Sequence, residues 1–166
     1  MNKRIVAVIS DANIIIDYLS SNKHILSIAT EKLCDIYIPT PIFNEISQID
    51  ENIAAELGLK IIEPDFKQLT ESMERGGALS YQDRICFILA RDKEYSCATN
   101  DKTLKRHCEN NNIKTIWGLE IMILLVEKGH LTKKIAITTA KDINKRNRLI
   151  TAEVLNSFIE KINEIK

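Results

Sequence analysis

The segment "YSCATNDKTLKRH", residues 95–107, holds the arrangement from which the fold of this chain can be predicted. Its first part, "YSCAT", is predicted to be a short buried strand, and a helix is predicted from Lys102 onward. Asp101 stands between the two, where the strand has ended and the helix is about to begin. A strand followed closely by a helix is the repeating unit of a parallel α/β sheet.

The same alternation of strand and helix recurs along the chain. Strands are predicted at residues 4–10, 36–39, 59–63, 95–99 and 114–117. Residues 12–20 are predicted as a loop entering a helix. One helix is predicted after the second strand, with Thr40 as its cap and Pro41 as its first helical residue. Further helices are predicted at residues 21–33, 51–58, 65–75, 80–93, 102–111 and 118–128, and two more after Thr132. This order predicts one α/β domain with a parallel sheet and helices on both of its faces.

Charge is balanced over the whole chain but not along it. Of the 166 residues, 23 are Lys or Arg and 23 are Asp or Glu, so net charge gives no general attraction to nucleic acid or membrane. Residues 41–83 hold nine acids and three bases, whereas residues 84–148 hold fourteen bases and seven acids. This asymmetry is compatible with an acidic pocket beside a basic rim.

Apolar runs and cysteine spacing bear on the cellular location. The apolar run in "MNKRIVAVIS" is too short for a secretion signal and is followed by Asp11, and "IMILLV", residues 121–126, is too short to span a bilayer. The four cysteines show no CxxC spacing, and Cys108 beside His107 fits no common zinc site. We therefore expect a cytoplasmic protein with reduced core thiols and no membrane partner.

Four acidic residues are predicted to meet at one edge of the sheet. Asp11 directly follows the first strand, and Asp101 lies two residues beyond the "YSCAT" strand. Glu45 is predicted about one turn into the helix after the second strand, and Asp83 at the start of the helix over residues 80–93. Functional residues of parallel α/β sheets gather at the carboxyl ends of the strands, so these four carboxylates are candidates for one site.

Each acid also has a purely structural explanation. Asp11 can close a local turn, Asp83 can form a capping box with Ser80, Asp101 can cap the next helix, and Glu45 can be a solvated surface charge. The occurrence of all four acids at one edge of the sheet is harder to explain by separate structural roles. Two unpaired carboxylates about 4 Å apart repel by roughly 1 kcal/mol in water and about 4 kcal/mol at an effective dielectric of 20. A cluster of oxygen ligands suits Mg²⁺ or Mn²⁺, and such ions support hydrolysis of phosphodiesters.

The segments that carry these acids resemble the motifs of the PIN-domain family. The matching segments, in chain order, are "AVISDANIIIDYL" (residues 7–19), "PTPIFNEI" (39–46), "ALSYQDRICFILA" (78–90) and "CATNDKTLK" (97–105). Downstream, "IKTIWGLEIMILLVEKGHLT" (113–132) resembles the closing strand and helix of the family. The resemblance covers roughly residues 4–132, and its order and spacing make it specific in combination.

The resemblance implies a five-stranded parallel sheet in a three-layer α/β/α fold, with a core at about 4–132 and a C-terminal helical extension at about 133–166. It implies an Mg²⁺- or Mn²⁺-dependent RNA endonuclease, commonly the toxin of a toxin–antitoxin pair similar to VapC. Homodimers and a small cognate antitoxin are the partners it implies. The residues it assigns are the catalytic and metal-binding Asp11, Glu45, Asp83 and Asp101, with Asn13, Thr99 and Asn100 in support. Ala12 departs from the pattern, because many members carry a hydroxyl there.

Basic residues close to two of the acids are candidates for contacts with RNA phosphates. They are Arg84, Lys102, Lys105 and Arg106, although each also fits a solvated helix face. Two alternative functions remain open: a catalytically silent PIN-like module that binds RNA or protein, and a housekeeping nuclease of RNA maturation. A haloacid-dehalogenase-type phosphatase fits poorly because Asn13 stands where its second Asp belongs, and a receiver domain would need a Lys after the last strand.

Overall fold

Five short strands form one parallel sheet in the computed structural model, which describes residues 5–74 and 76–166. They are β1 (Ala7–Ser10), β2 (Asp35–Pro39), β3 (Lys60–Ile62), β4 (Ser96–Ala98) and β5 (Thr115–Ile116), in the spatial order β3-β2-β1-β4-β5. All neighbouring strands are parallel. The five predicted strands are confirmed, with shorter spans for most of them. The predicted first residue of β1, Arg4, lies outside the described residues.

The first strand of the sequence is the central strand of the sheet. Ile9 of β1 is opposite Tyr37 on one side and Cys97 on the other. All four residues of β1 are buried, as is typical of a parallel strand that helices cover on both faces. Because β1 and β4 are direct neighbours, their carboxyl ends lie side by side at one edge of the sheet.

The described residues contain ten helices. They are α1 (Ala12–Ser21), α2 (His24–Lys32), α3 (Thr40–Phe43), α4 (Glu51–Glu56), α5 (Phe66–Ser72), α6 (Tyr81–Lys93), α7 (Lys102–Asn110), α8 (Gly118–Glu127), α9 (Lys133–Arg146) and α10 (Ala152–Glu164). Side-chain caps mark the start of most of them, for example Asp65 with Gln68 in a capping box at α5 and Ser80 at α6. The predicted end of α5 at Arg75 lies outside the described residues.

Three helix predictions were wrong in their boundaries. Residues 12–20 are helical from Ala12 onward, and the segment predicted as one helix over 21–33 begins only at His24, after a break at Asn22. The helix after β2 begins at Thr40 rather than at Pro41. The Thr40 hydroxyl does not cap that helix but donates to the Glu63 carboxylate at 2.6 Å.

The third of these helices, α3, also ends before Glu45, which was predicted to lie within it. It ends at Phe43, and Glu45 therefore lies in the turn that follows it rather than within a helix. The backbone N–H of Glu45 donates to the carbonyl of Ile42 at 3.1 Å, a bond three residues back that is typical of a tight turn.

The helices form two layers around the sheet. Helix α6 packs against β1 and β4 and contacts α5 and α7, whereas α2 packs against β2 and α8, and α1 against α2 and α9. The connections β1–β2 and β3–β4 run in opposite directions along the sheet, so the general right-handedness of such connections predicts that they lie on opposite faces. The predicted three-layer α/β/α fold is confirmed. One buried apolar cluster joins the sheet to the two C-terminal helices, which contribute Ala136, Ala140, Ile143, Phe158 and Ile162.

Most of the cysteines are buried in the core. All four cysteines are free thiols, and three of them, Cys86, Cys97 and Cys108, are buried. No helix among the described residues is long and apolar enough to cross a membrane.

Candidate active site

Asp11 and Asp101 lie beside each other in the fold, at the ends of neighbouring strands. The backbone N–H of Asp11 donates to the carbonyl of Ala98, the last residue of β4, at 3.1 Å. Each aspartate caps the helix that follows it: the Asp11 carboxylate accepts the N–H of Ile14 at 3.0 Å, and the Asp101 carboxylate accepts the N–H of Leu104 at 2.8 Å. The predicted capping role of Asp101 is confirmed, whereas Asp11, predicted to close a local turn, instead caps α1. In each cap only one of the two carboxylate oxygens accepts the backbone N–H.

Thr99 connects these two aspartates through a single hydroxyl. Its Oγ1 donates to Oδ2 of Asp11 at 2.6 Å and accepts the backbone N–H of Asp101 at 3.0 Å. Thr99 and Asp11 are both buried. Burial raises the pKa of the Asp11 carboxyl, the negative charge of Asp83 adds to the rise, and the bond from Thr99 partly offsets it. The predicted supporting position of Thr99 is therefore one hydrogen bond from Asp11.

Asp83 lies in the first turn of α6 and faces the same carboxylates. Ser80 caps α6 by accepting the N–H of Asp83 at 3.1 Å, and its hydroxyl donates to the Asp83 carboxylate at 2.8 Å. Partial burial raises the pKa of Asp83, and the negative charge of Asp101 raises it further. Asp83 thus lies close enough to Asp11 and to Asp101 for electrostatic interaction with each of them.

Glu45 is held by a residue that was not among the predicted site residues. Nε2 of Gln82 donates to Oε1 of Glu45 at 2.8 Å, and Gln82 directly precedes Asp83 on α6. This bond ties the turn after α3 to the first turn of α6. Glu45 itself is exposed. A Gln next to a predicted acid has no distinctive sequence signal, because its partner lies in a different element.

The other two predicted supporting residues do not contact the acids through their side chains. Asn13 is exposed on the first turn of α1. Asn100 is buried, and its Oδ1 accepts the backbone N–H of Gly118, the first residue of α8, at 2.9 Å. Its Nδ2 is buried with no hydrogen-bond partner among the described residues. The Asn100 side chain thus positions α8 rather than a carboxylate.

The four predicted phosphate contacts differ in their surroundings. The Arg84 guanidinium donates to the carbonyls of Gly76 and Leu79, and so holds the loop before α6 instead of projecting into solvent. Nζ of Lys105 lies 4.6 Å from the centre of the Trp117 ring and 3.6 Å from the Glu109 carboxylate. The remaining two, Lys102 and Arg106, are exposed on α7.

A fifth carboxylate near Asp11 comes from the middle of α1. Asp17 is half-buried, and its Oδ2 accepts Nδ2 of Asn147, in the connection between α9 and α10, at 2.8 Å. Burial raises the pKa of Asp17 to about 6, and the negative charge of Asp11 contributes to the rise. Asp17 stands in the quoted first motif, but only the packing of the C-terminal helices reveals its partner.

The donor chemistry of the site suits a hard divalent cation. Asp11, Glu45, Asp83 and Asp101 offer only carboxylate oxygens. Burial raises the pKa of Asp11 and Asp83, and a neighbouring negative charge adds to the rise in each case. Within residues 5–74 and 76–166, no three or more His, Cys, Asp or Glu side chains are grouped closely enough to hold a metal ion as they stand. The carboxylates are therefore suitable ligands for Mg²⁺ or Mn²⁺ by their chemistry, although their present spacing does not form a complete metal site.

Comparison with known families agrees with the fold. The family model DUF3368, described as a PIN domain, matches residues 7–164. The match includes all four acids and both C-terminal helices. No curated protein and no solved structure matched the chain. The PIN domain is a nuclease fold, and the match spans nearly the whole length of the sequence. The chain belongs to the PIN-domain family.

Proposed function

We propose that this protein is a divalent-metal-dependent endoribonuclease whose catalytic and metal-binding residues are Asp11, Glu45, Asp83 and Asp101. The observation that carries the proposal is the hydrogen-bond chain from Asp11 through Thr99 to Asp101, with Asp83 close enough to raise the pKa of Asp11. Buried acids with raised pKa values at a strand edge are typical of functional sites. The presence of all four acids disfavours a catalytically silent module.

The chain's own residues would prepare this site for a phosphodiester. Mg²⁺ or Mn²⁺ held by the four carboxylates would supply a water of lowered pKa and stabilise charge on the phosphate. Thr99 keeps Oδ2 of Asp11 hydrogen-bonded, and Gln82 orients the Glu45 carboxylate. Lys102 and Arg106 are exposed on the helix that Asp101 caps, and we expect them to contact RNA phosphates.

We further propose a biological role as the toxin of a toxin–antitoxin pair, acting in the cytoplasm as a homodimer with a small cognate antitoxin. The support is the resemblance of the four acidic motifs to VapC-type toxins. Induced expression should arrest growth, and Asp11→Asn should relieve the arrest. Expression without any effect on growth would favour the housekeeping nuclease instead.

Cleavage by Asp→Asn variants tests the catalytic proposal while preserving the helix caps. Asn caps helices as well as Asp does, so Asp101→Asn can still accept the N–H of Leu104 while losing the charge that binds a metal. We expect purified wild-type protein to cut a pool of structured RNAs with Mn²⁺ or Mg²⁺, and to stop when EDTA is added. Asp101→Asn should lower the cleavage rate by about a hundredfold or more.

The matched control is Asp65→Asn, which makes the same change at a carboxylate that caps α5. Asp65 follows the outer strand β3, two strands away from β1. This variant should cleave RNA at the wild-type rate. Equal losses in Asp65→Asn and Asp101→Asn would show that the loss reflects folding. Cleavage that persists in EDTA would contradict the metal-dependent mechanism.

A further inference from the structure

A groove of about 830 Å³ lies next to the acidic site, on the side of the sheet that ends with β5. Its lining comes from α7, β5, α8 and α10, and its volume falls within the range of about 300–1,000 Å³ that is usual for ligand sites. Asn100, directly before Asp101, is part of the lining, so the groove adjoins the acidic site without containing any of the four acids.

The groove exposes an apolar face that the core leaves uncovered. Helix α8 carries the sequence "GLEIMILLVE" and is apolar around most of its circumference. Met122 and Leu125 are buried in the core, whereas Ile123 and Leu124 are only partly buried and line the groove. Trp117 and Val154 extend the same surface. A helix that is apolar all round is normally covered on every side, so this face suits an apolar partner.

The charges around the groove indicate which charged groups such a partner should carry. Four carboxylates and two ammonium groups line it: Glu109, Glu120, Glu127, Glu153, Lys105 and Lys161. Lys105 is already 3.6 Å from Glu109. The remaining balance is negative, which repels RNA phosphates and attracts Lys and Arg side chains.

The neighbouring strand favours a polypeptide over a small molecule. β5 is an edge strand that pairs only with β4 among the described residues, and Thr115 and Trp117 line the groove. Edge strands present main-chain donors and acceptors that an extended peptide can pair with. We propose that this groove is a docking site for a partner polypeptide segment that combines apolar side chains with Lys or Arg. The proposal does not depend on nuclease activity.

Selection from a displayed library of random peptides against the full chain tests the proposal directly. Enriched peptides should combine apolar residues with Lys or Arg, and their synthetic versions should bind the chain in fluorescence polarisation. The double variant Glu127→Lys, Glu153→Lys should raise the Kd by about tenfold or more, because it reverses the attraction. Both glutamates are exposed, so these changes leave the core intact. Ile123→Glu should raise the Kd similarly by placing a charge in the apolar face.

The matched control is Ile135→Glu, an exposed isoleucine on α9 that lies outside the groove, which should leave the Kd unchanged. Three results would overturn the proposal. The first is a failure to enrich any peptide. The second is binding that the double Glu→Lys variant does not weaken. The third is the observation, by sedimentation velocity, of a dimer that the Ile123→Glu substitution dissociates. That result would show that the groove binds a second copy of the chain.

Discussion

At the scale of single residues, Thr99 is the position on which the geometry of the acidic site depends. A hydroxyl has one proton, which Thr99 donates to Asp11, and it uses an oxygen lone pair to accept the N–H of Asp101. Both contacts are buried or partly buried, so water cannot easily replace them. Removal of this one oxygen atom therefore disturbs two of the four acids at once.

Thr99→Val should lower the rate of metal-dependent RNA cleavage by about tenfold to a hundredfold, since residues that orient metal ligands have effects of this size. It should also lower the free energy of unfolding by about 1–3 kcal/mol, because the buried partners lose their hydrogen bond. Cleavage assays and chemical denaturation measure the two effects. Thr99→Ser keeps the hydroxyl and should retain most of the activity. An active Thr99→Val would show that Asp11 and Asp101 hold their positions unaided.

The sequence predicted the acids of the site better than the residues that support them. Asp11, Asp83 and Asp101 could be selected because each stands directly at a strand end or a helix start, where local rules apply. Gln82 and Asn147 could not, because each bonds an acid on an element remote in sequence, at 2.8 Å. Local patterns carry no information about such partners.

At the scale of elements, α1 is the helix that joins the acidic site to the C-terminal helices. Asp11 caps its start, and the hydroxyl of Tyr18, buried near its other end, donates to the carbonyl of Gly118 at 2.5 Å. Between them, Asp17 is bonded to Asn147. The C-terminal half of α1 is therefore held by contacts with the start of α8 and the end of α9.

Asp17→Asn should stabilise the protein at neutral and alkaline pH. The pKa of Asp17 is raised from its ordinary 3.8 to about 6. The stability linked to the protonated carboxyl is therefore complete below the unfolded value and is lost as pH rises through about 6. We expect the variant to have the higher Tm at about pH 8, with the difference disappearing towards about pH 4. Thermal melts across this range measure it, and a difference in Tm that stays the same from about pH 4 to about pH 8 would contradict the prediction.

Gly118→Ala should destabilise the protein although Ala favours helices. A Cβ at this position would lie 3.1 Å from Nδ2 of Asn100 and 3.3 Å from the buried side chain of Ile14. Asn100 cannot retreat without losing its bond to the Gly118 N–H. We expect a loss of about 1–3 kcal/mol in the free energy of unfolding, the usual range for overpacking, measured by denaturant titration. A neutral or stabilising substitution would mean that α8 can shift freely.

The elements themselves were predicted well wherever local sequence decides them. The central strand β1 belongs to a continuous apolar run, residues 5–9, and Ser80, Asp65 and Asp101 mark helix starts by local hydrogen bonds. The predicted start of the helix after β2 was wrong because the Thr40 hydroxyl donates to the Glu63 carboxylate, just after β3, instead of capping its own helix. This contact depends on the pairing of β2 with β3, which the sequence of the helix does not reveal.

At the scale of the whole molecule, the packing of both layers against the sheet protects most thiols. Cys86 lies on α6, Cys97 on β4 and Cys108 on α7, and all three are buried. Cys34 is partly buried, and its burial raises its pKa to about 11. Because the thiolate is the reactive form, a thiol with a raised pKa reacts slowly even where reagent can reach it.

Thiol titration should therefore distinguish the native from the unfolded chain. In native protein we expect a thiol reagent to modify Cys34 slowly and the three buried cysteines not at all. In denaturant all four should react at once. Rapid reaction of more than one thiol under native conditions would show that α6 or α7 opens from the sheet, an event that hydrogen exchange could then locate.

The strand order has a consequence for a chain that is still being synthesised. β1 emerges from the ribosome first, but its neighbour β4 follows only after β2, β3 and the whole of α6. A nascent chain that ends before β4 can display Asp11 and Glu45, yet it lacks Thr99 and Asp101 and cannot complete the hydrogen-bond chain between them. If the proposed function is correct, the growing polypeptide is harmless to the messenger that encodes it until its central sheet has closed.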